Sequence, residues 1–194
     1  LSGRRIVVVG YGPVGQGLAA YAKAAGANVA VVEGNPIRRL AARYDGFLVP
    51  ELEEAIENAE IGVTATGLEN ALKIEDLLKI NSDTVLVNAG HGGNEIQVSK
   101  LASSAVEAVE VGNQCIRYRL RAGGPWLSVL GGGYPLNIVL NSGSPEPVLL
   151  HFALLGLTLE WLTQHNISHG EIAVPIEVEK EAARLALQSL EGPR

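Results

Sequence analysis

The stretch at residues 6–33, IVVVGYGPVGQGLAAYAKAAGANVAVVE, constrains the fold more than any other part of the chain. Ile6-Val7-Val8-Val9 is a continuous apolar run, the pattern of a parallel strand covered on both faces. Gly10-Tyr11-Gly12-Pro13-Val14-Gly15 then matches G-x-G-x-x-G. In that pattern Gly10 permits a tight turn, and Gly12 lets backbone approach a diphosphate. Gly15 lets the following helix lie close to the strand. The helix, expected over 14–25, aims unpaired N–H groups and a positive dipole end at the phosphates. A second strand is expected over 29–32. Glu33 closes the unit, where a carboxylate can accept hydrogen bonds from both hydroxyls of an adenine ribose. Its charge opposes a 2′-phosphate, which favours NAD over NADP, although Arg38 and Arg39 lie just beyond. The alternative is a glycine turn that serves packing alone.

At 194 residues and 47% hydrophobic content, the chain can bury one substantial core. A net charge of −6, with no large Lys/Arg cluster, argues against nucleic acid as a partner. The most apolar run, at 148–162, is too short to span a membrane and contains His151 and Glu160. One cysteine, Cys115, allows no internal disulfide and suits a reducing compartment, so a cytoplasmic protein is expected. The chain contains no methionine and reaches its first strand within about five residues. A domain whose upstream partner lies outside these residues is therefore expected.

Further along, Asn35-Pro36 has the form of an N-cap followed by proline at the first helical position. Phe47-Leu48-Val49 is expected as a short third strand, with a helix over 50–58 and a fourth strand over 61–64. The latter runs into Ala65-Thr66-Gly67, at the strand end over which ligands sit in doubly wound sheets. A short helix is expected over 74–78 and a fifth strand over 84–87. The loop Asn88-Ala89-Gly90-His91-Gly92-Gly93-Asn94 follows at the same edge. A sixth strand is expected over 106–111. Residues 117–120 and 126–130 flank Ala122-Gly123-Gly124 as a hairpin. A loop at 131–137 returns toward the site. A helix over 148–164, apolar nearly all round, wants cover on several sides, part of it from a neighbouring copy in an oligomer. The last helix, over 176–190, places Val178, Ala182, Leu185 and Ser189 near one stripe. The fold class expected is α/β, a Rossmann-type doubly wound, mostly parallel sheet with a C-terminal helical extension. The expected division is 1–165 for the dinucleotide-binding domain and 166–194 for a helical segment.

With these motifs in hand, the chain resembles the cofactor domain of the S-adenosylhomocysteine hydrolase family. GYGPVGQG at 10–17, VEGNP ending at Pro36, TATG at 64–67 and NAGHGGNEI at 88–96 carry the likeness, with RYRL at 117–120 and GYPLN ending at Asn137. The resemblance implies a retained NAD that oxidises a nucleoside ribose at its 3′-hydroxyl. The neighbouring C4′ proton becomes acidic, the 5′ thioether leaves by elimination, water adds and the hydride returns. It implies a cofactor site made of Gly10, Gly12, Pro13, Val14, Gly15, Gln16, Gly17, Glu33, Arg38, Thr66, Ala89, Gly90, His91 and Asn137. His91 is also the candidate catalytic residue, with a titration range suited to proton transfer. It implies, too, a nucleoside substrate, a substrate domain outside these 194 residues and a homo-oligomer.

Three departures stand out. Arg38 replaces a small polar residue, Gly92 stands where a bulky aromatic is usual, and Gly143-Ser144-Pro145 replaces Gly-His-Pro. The glycines at 92 and 93 are expected to loosen the loop and widen the pocket. His151 is expected as a satisfied interior or interface residue. His165 and His169 straddle a loop and are not expected to bind metal, and no metal site is expected elsewhere. The rival functions are the cofactor domain of a 2-hydroxy-acid or amino-acid dehydrogenase, and a non-catalytic NAD-responsive module.

Overall fold

A computed structural model of the chain describes residues 1–112, 114–143, 146–165, 167 and 170–191, without the side chains of 190 and 191. Its first strand, β1 (Arg5–Val9), sends alternate side chains to opposite faces of a sheet. Ile6 and Val8 pack with Ala19, Val31 and Phe47 in one core, while Val7 and Val9 pack with Ile56, Leu86 and Leu127 in the other. Two covered faces explain why this strand is apolar throughout.

Helix α1 (Pro13–Ala24) follows, with proline in its first turn, where a missing N–H is harmless. Strand β2 (Asn28–Val32) pairs in parallel with β1. Helix α2 (Pro36–Tyr44) is capped by Asn35, whose Oδ1 accepts from the Ile37 and Arg38 amides. The expected strand at 47–49 reduces to one bridge, in which the Val31 amide donates to the Leu48 carbonyl. Phe47 turns inward against Tyr11, and Pro50 has no amide with which to extend pairing.

Next come α3 (Leu52–Glu57), β3 (Ile61–Thr64), α4 (Ile74–Leu77) and β4 (Thr84–Asn88). Helix α5 (Val98–Ser104) is not anticipated by the sequence reading. Its one fully buried residue is Leu101, too little for a periodic signal. Strands β5 (Glu107–Glu110), β6 (Cys115–Arg119) and β7 (Leu127–Leu130) include the expected hairpin, β6 with β7. Trp126, at its turn, lies under the guanidinium groups of Arg117 and Arg119, 4.8 and 4.0 Å from the ring centre. The expected loop at 131–137 holds a 3₁₀ turn (Gly131–Gly133) and the start of helix α6 (Leu136–Val139).

The seven strands form one sheet in the order β2-β1-β3-β4-β7-β6-β5. The first five are mutually parallel; β6 pairs antiparallel with β7 and β5 antiparallel with β6, so β6 alone runs against the rest. From β1 the chain goes outward to β2, then returns to β3 on the other side. That reversal opens a crevice at the carboxyl ends of β1 and β3, the place where ligands bind in such sheets. The Gly10 amide donates to Val32 O and the Ala65 amide to Val9 O, both at 2.8 Å, which ties the two lips to the sheet.

The chain divides into two compact units, Leu1–Ser142 and Gly143–Arg194. The boundary expected from the sequence, between 165 and 166, lies further along the chain. The difference arises because helix α7 (Glu146–Gln164) packs with α8 (Ile176–Glu191), so the long apolar helix belongs with the last one. Of the stripe in α8, Val178 and Ala182 are buried, while Leu185 and Ser189 are exposed. Among the described residues no helix is long and apolar enough to cross a membrane.

Candidate functional site

A cavity of about 1120 Å³ occupies the crevice in the first unit. It is lined by Gly10, Gly12, Pro13, Val14, Glu33 and Arg38 at one end, and by Thr66, Ala89, Gly90, His91 and Asn137 at the other. Gly15, Gln16 and Gly17 lie outside the lining. The helix carries them away from the crevice, and the Gln16 side-chain amide donates instead to Tyr11 O at 3.3 Å.

The three fingerprint glycines differ in what a side chain at each would meet. Gly10 has φ +102°, and a Cβ there would lie 2.6 Å from the Ala65 carbonyl oxygen. A Cβ on Gly15 would overlap the Gly10 carbonyl, so this residue serves the close seat of α1 on β1. Gly12 faces open space, with no atom within 4 Å of a Cβ position, on the wall of the cavity. The gap over Gly12 is therefore free for a diphosphate at the amino end of α1.

Glu33 is half-buried and held before any ligand arrives. Oε2 accepts from the Tyr11 amide at 2.7 Å and Oε1 from the Asn35 amide at 2.8 Å. Glu33 lines the cavity, and a carboxylate with one backbone donor on each oxygen keeps lone pairs for further hydrogen bonds. Tyr11 is the strut beneath it. Its ring is buried, and its hydroxyl donates to Asp45 Oδ2 at 2.6 Å. Burial first, then the hydrogen bond to Asp45 and that residue's charge, pushes the Tyr11 hydroxyl up to about 12. Arg39 bonds Val49 O and pairs with Glu51, leaving Arg38 as the arginine that lines the cavity.

At the other end the buried polar side chains include Asn88 and Glu95, neither of which the sequence marks with a role of its own. Asn88 is 0% exposed. Its amide donates to the carbonyls of Gly92 and Gly133, and its Oδ1 accepts from the Gly90 amide at 2.8 Å. The 88–93 and 131–137 segments are thereby fastened together. The expected loosening at 92 and 93 is offset at Gly93, where the Tyr134 ring occupies the space a side chain would take. Glu95 is 1% exposed, and its carboxylate accepts from the Thr66 amide at 2.9 Å, the Thr66 hydroxyl at 2.8 Å and the Gly67 amide at 2.8 Å. The Thr66 hydroxyl also accepts from the Leu68 amide at 3.0 Å. Its single proton is thus committed to Glu95, and Thr66 meets the cavity through other atoms. Only the spacing to Thr66 in three dimensions reveals these roles, and no local sequence signal carries it.

His91 is exposed, with its loop on the cavity wall. Asn137 is exposed as well, at the start of α6. In the second unit, His151 is exposed, not interior, and bonds Pro147 O at 2.9 Å. His165 stacks on Trp161 with ring centres 4.3 Å apart. His169 and Ser144 lie outside the described residues. Among the described residues no cluster of His, Cys, Asp and Glu could hold a metal ion.

A parallel sheet with a strand-order reversal, a three-glycine turn and a fixed acid after β2 define a dinucleotide-binding Rossmann-type domain. Residues 1–143 match the family described as S-adenosyl-L-homocysteine hydrolase, NAD binding domain, and the chain belongs to this family. NAD is accordingly its cofactor. An adenosylhomocysteinase from Thermoplasma volcanium is 37% identical over 99% of this chain and 47% of its own length. An S-inosyl-L-homocysteine hydrolase from Methanocaldococcus jannaschii is 36% identical over 98% of this chain and 46% of its own length. The chain thus spans about half the length of the curated relatives it matches. A crystal structure of a dipicolinate synthase component from Bacillus halodurans shares the fold. It has a TM-score of 0.50 and 16% identity, over 58% of this chain and 39% of that one.

Proposed function

We propose that the chain is the cofactor half of an enzyme that cleaves a nucleoside thioether with NAD retained in the site. The observation that supports this most is the joining, in one cavity, of a diphosphate-sized opening over Gly12, the fixed Glu33, and the His91 and Asn137 segments. When bound, NAD supplies a hydride acceptor for a sugar hydroxyl. The Gly12 and Val14 amides would hold the diphosphate at the start of α1, with Pro13 fixing the turn without an N–H of its own, and Glu33 would accept from the adenine ribose. Asn137 has the donor and acceptor that a carboxamide needs. His91 is exposed beside that end and able to take and return a proton. Relatives that act on S-adenosyl and on S-inosyl compounds match equally well in sequence, so the substrate class is a purine nucleoside thioether of homocysteine. The substrate domain, a homo-oligomeric assembly and a cytoplasmic site of action belong to the same reading.

The test is His91→Ala in the enzyme that includes its substrate domain. Turnover is expected to fall by roughly a hundredfold, the scale of positioned acid–base catalysis, with NAD affinity little changed. NADH released into solution with a hydroxy acid substrate would overturn the proposal in favour of a dehydrogenase.

A further inference from the structure

We propose that Glu95 is the positioning residue for the end of the cavity opposite the glycine turn, locking Thr66, Gly67 and Gly90 into a single wall for the nicotinamide half of the cofactor. The inference rests on the cofactor orientation given above. Its carboxylate receives three donors from the turn after β3, while its own carbonyl accepts from the Leu72 amide at 2.9 Å. One residue thus holds the connection between β3 and α4 at two places, the turn at Thr66-Gly67 and the bridge at Leu72. Glu95 also dictates its neighbour. A Cβ on Gly90 would overlap the Glu95 carboxyl group, so this side chain by itself holds residue 90 to glycine. The path of the backbone toward His91 is set by the same contact.

Energetics point the same way. Among the described residues no cationic side chain pairs with Glu95. A carboxylate buried without a counter-charge loses its hydration, and here the compensation comes from the three donors it accepts from. What it provides is direction. Three donors converging on two oxygens fix the turn within a narrow range of positions, which a site that must present a flat ring at a set angle requires.

Glu95→Gln keeps the shape but points an NH₂ at a backbone N–H of Thr66 or Gly67, leaving two donors face to face. The full chain is titrated with NAD and with ADP-ribose, which has the diphosphate and both sugars but no nicotinamide. Glu95→Gln is expected to weaken NAD roughly tenfold, the scale of one lost charge-assisted hydrogen bond, and to leave ADP-ribose unchanged. Gly90→Ala, whose methyl displaces the carboxylate, is expected to reproduce that split. If Glu95→Gln does not fold, Gly90→Ala decides alone. Equal losses for both ligands would reveal a role in fold stability only, and undiminished NAD affinity would remove Glu95 from the site; either overturns the inference. Failure of the folded wild-type chain to bind NAD at all would instead strike the cofactor site itself.

Discussion

The two ends of the cavity are built on opposite plans. The end at Gly12 is made of absent side chains: glycines leave bare amides and open space, and α1 and the β1 turn can approach because nothing intervenes. The end at His91 is made of buried side chains, with Asn88 and Glu95 holding three loops in register. The first plan uses residues adjacent in sequence. The second uses residues that meet only after the sheet has formed. An end made of gaps should therefore fail by obstruction, and an end made of struts by collapse.

Substitutions can separate the two. The largest effect is expected from Gly12→Val, which fills the diphosphate space with a branched side chain. NAD binding should be lost by about 3 kcal/mol or more, while stability is kept, because no protein atom lies near. Calorimetry showing normal binding would contradict the obstruction plan. Asn88→Ala should behave in the opposite way. It strands the carbonyls of Gly92 and Gly133, and stability measured by denaturant should drop by about 2–3 kcal/mol. Glu33→Ala is expected to weaken NAD by about 1.5–3 kcal/mol. Part of that loss comes from the freed Tyr11 and Asn35 amides, and Glu33→Gln can accept from only one of them while its NH₂ faces the other, so it should recover little.

The smallest effect concerns pH. The Tyr11 hydroxyl ionises at about 12 in the folded chain against 10 when unfolded. Between those values the unfolded state binds fewer protons than the folded one. Stability contributed by this group is therefore complete below pH 10 and lost as pH rises toward about 12. Tyr11→Phe should flatten the stability profile across that window, as followed by denaturant melts at successive pH values.

This contrast also explains what was legible in the sequence. The stretch from Ile6 to Glu33 announced its strands, turn, helix and acid, because the pairing of β1 with β2 and the bond from the Tyr11 amide to Glu33 both lie within the stretch. Asn35 announced its cap for the same reason. Phe47-Leu48-Val49 misled because strand propensity says nothing of whether a neighbour has room to pair, and only Leu48 does. Glu95 and Asn88 stayed hidden inside a motif that was itself recognised. Their partners lie at 64–67 and 133, and burial is a property of the folded molecule. The long helix at 146–164 was visible, but its assignment to one unit or the other depends on its packing with α8.

The chain has two tryptophans, and the fold assigns one to each unit. Trp126 sits under two guanidinium groups at the sheet's hairpin, and Trp161 stacks on an imidazole in the long helix. Replacing either with phenylalanine leaves a protein whose intrinsic emission comes from a single known place. Melting of the Rossmann unit and of the helical pair can then be followed separately in one cuvette, without any added dye.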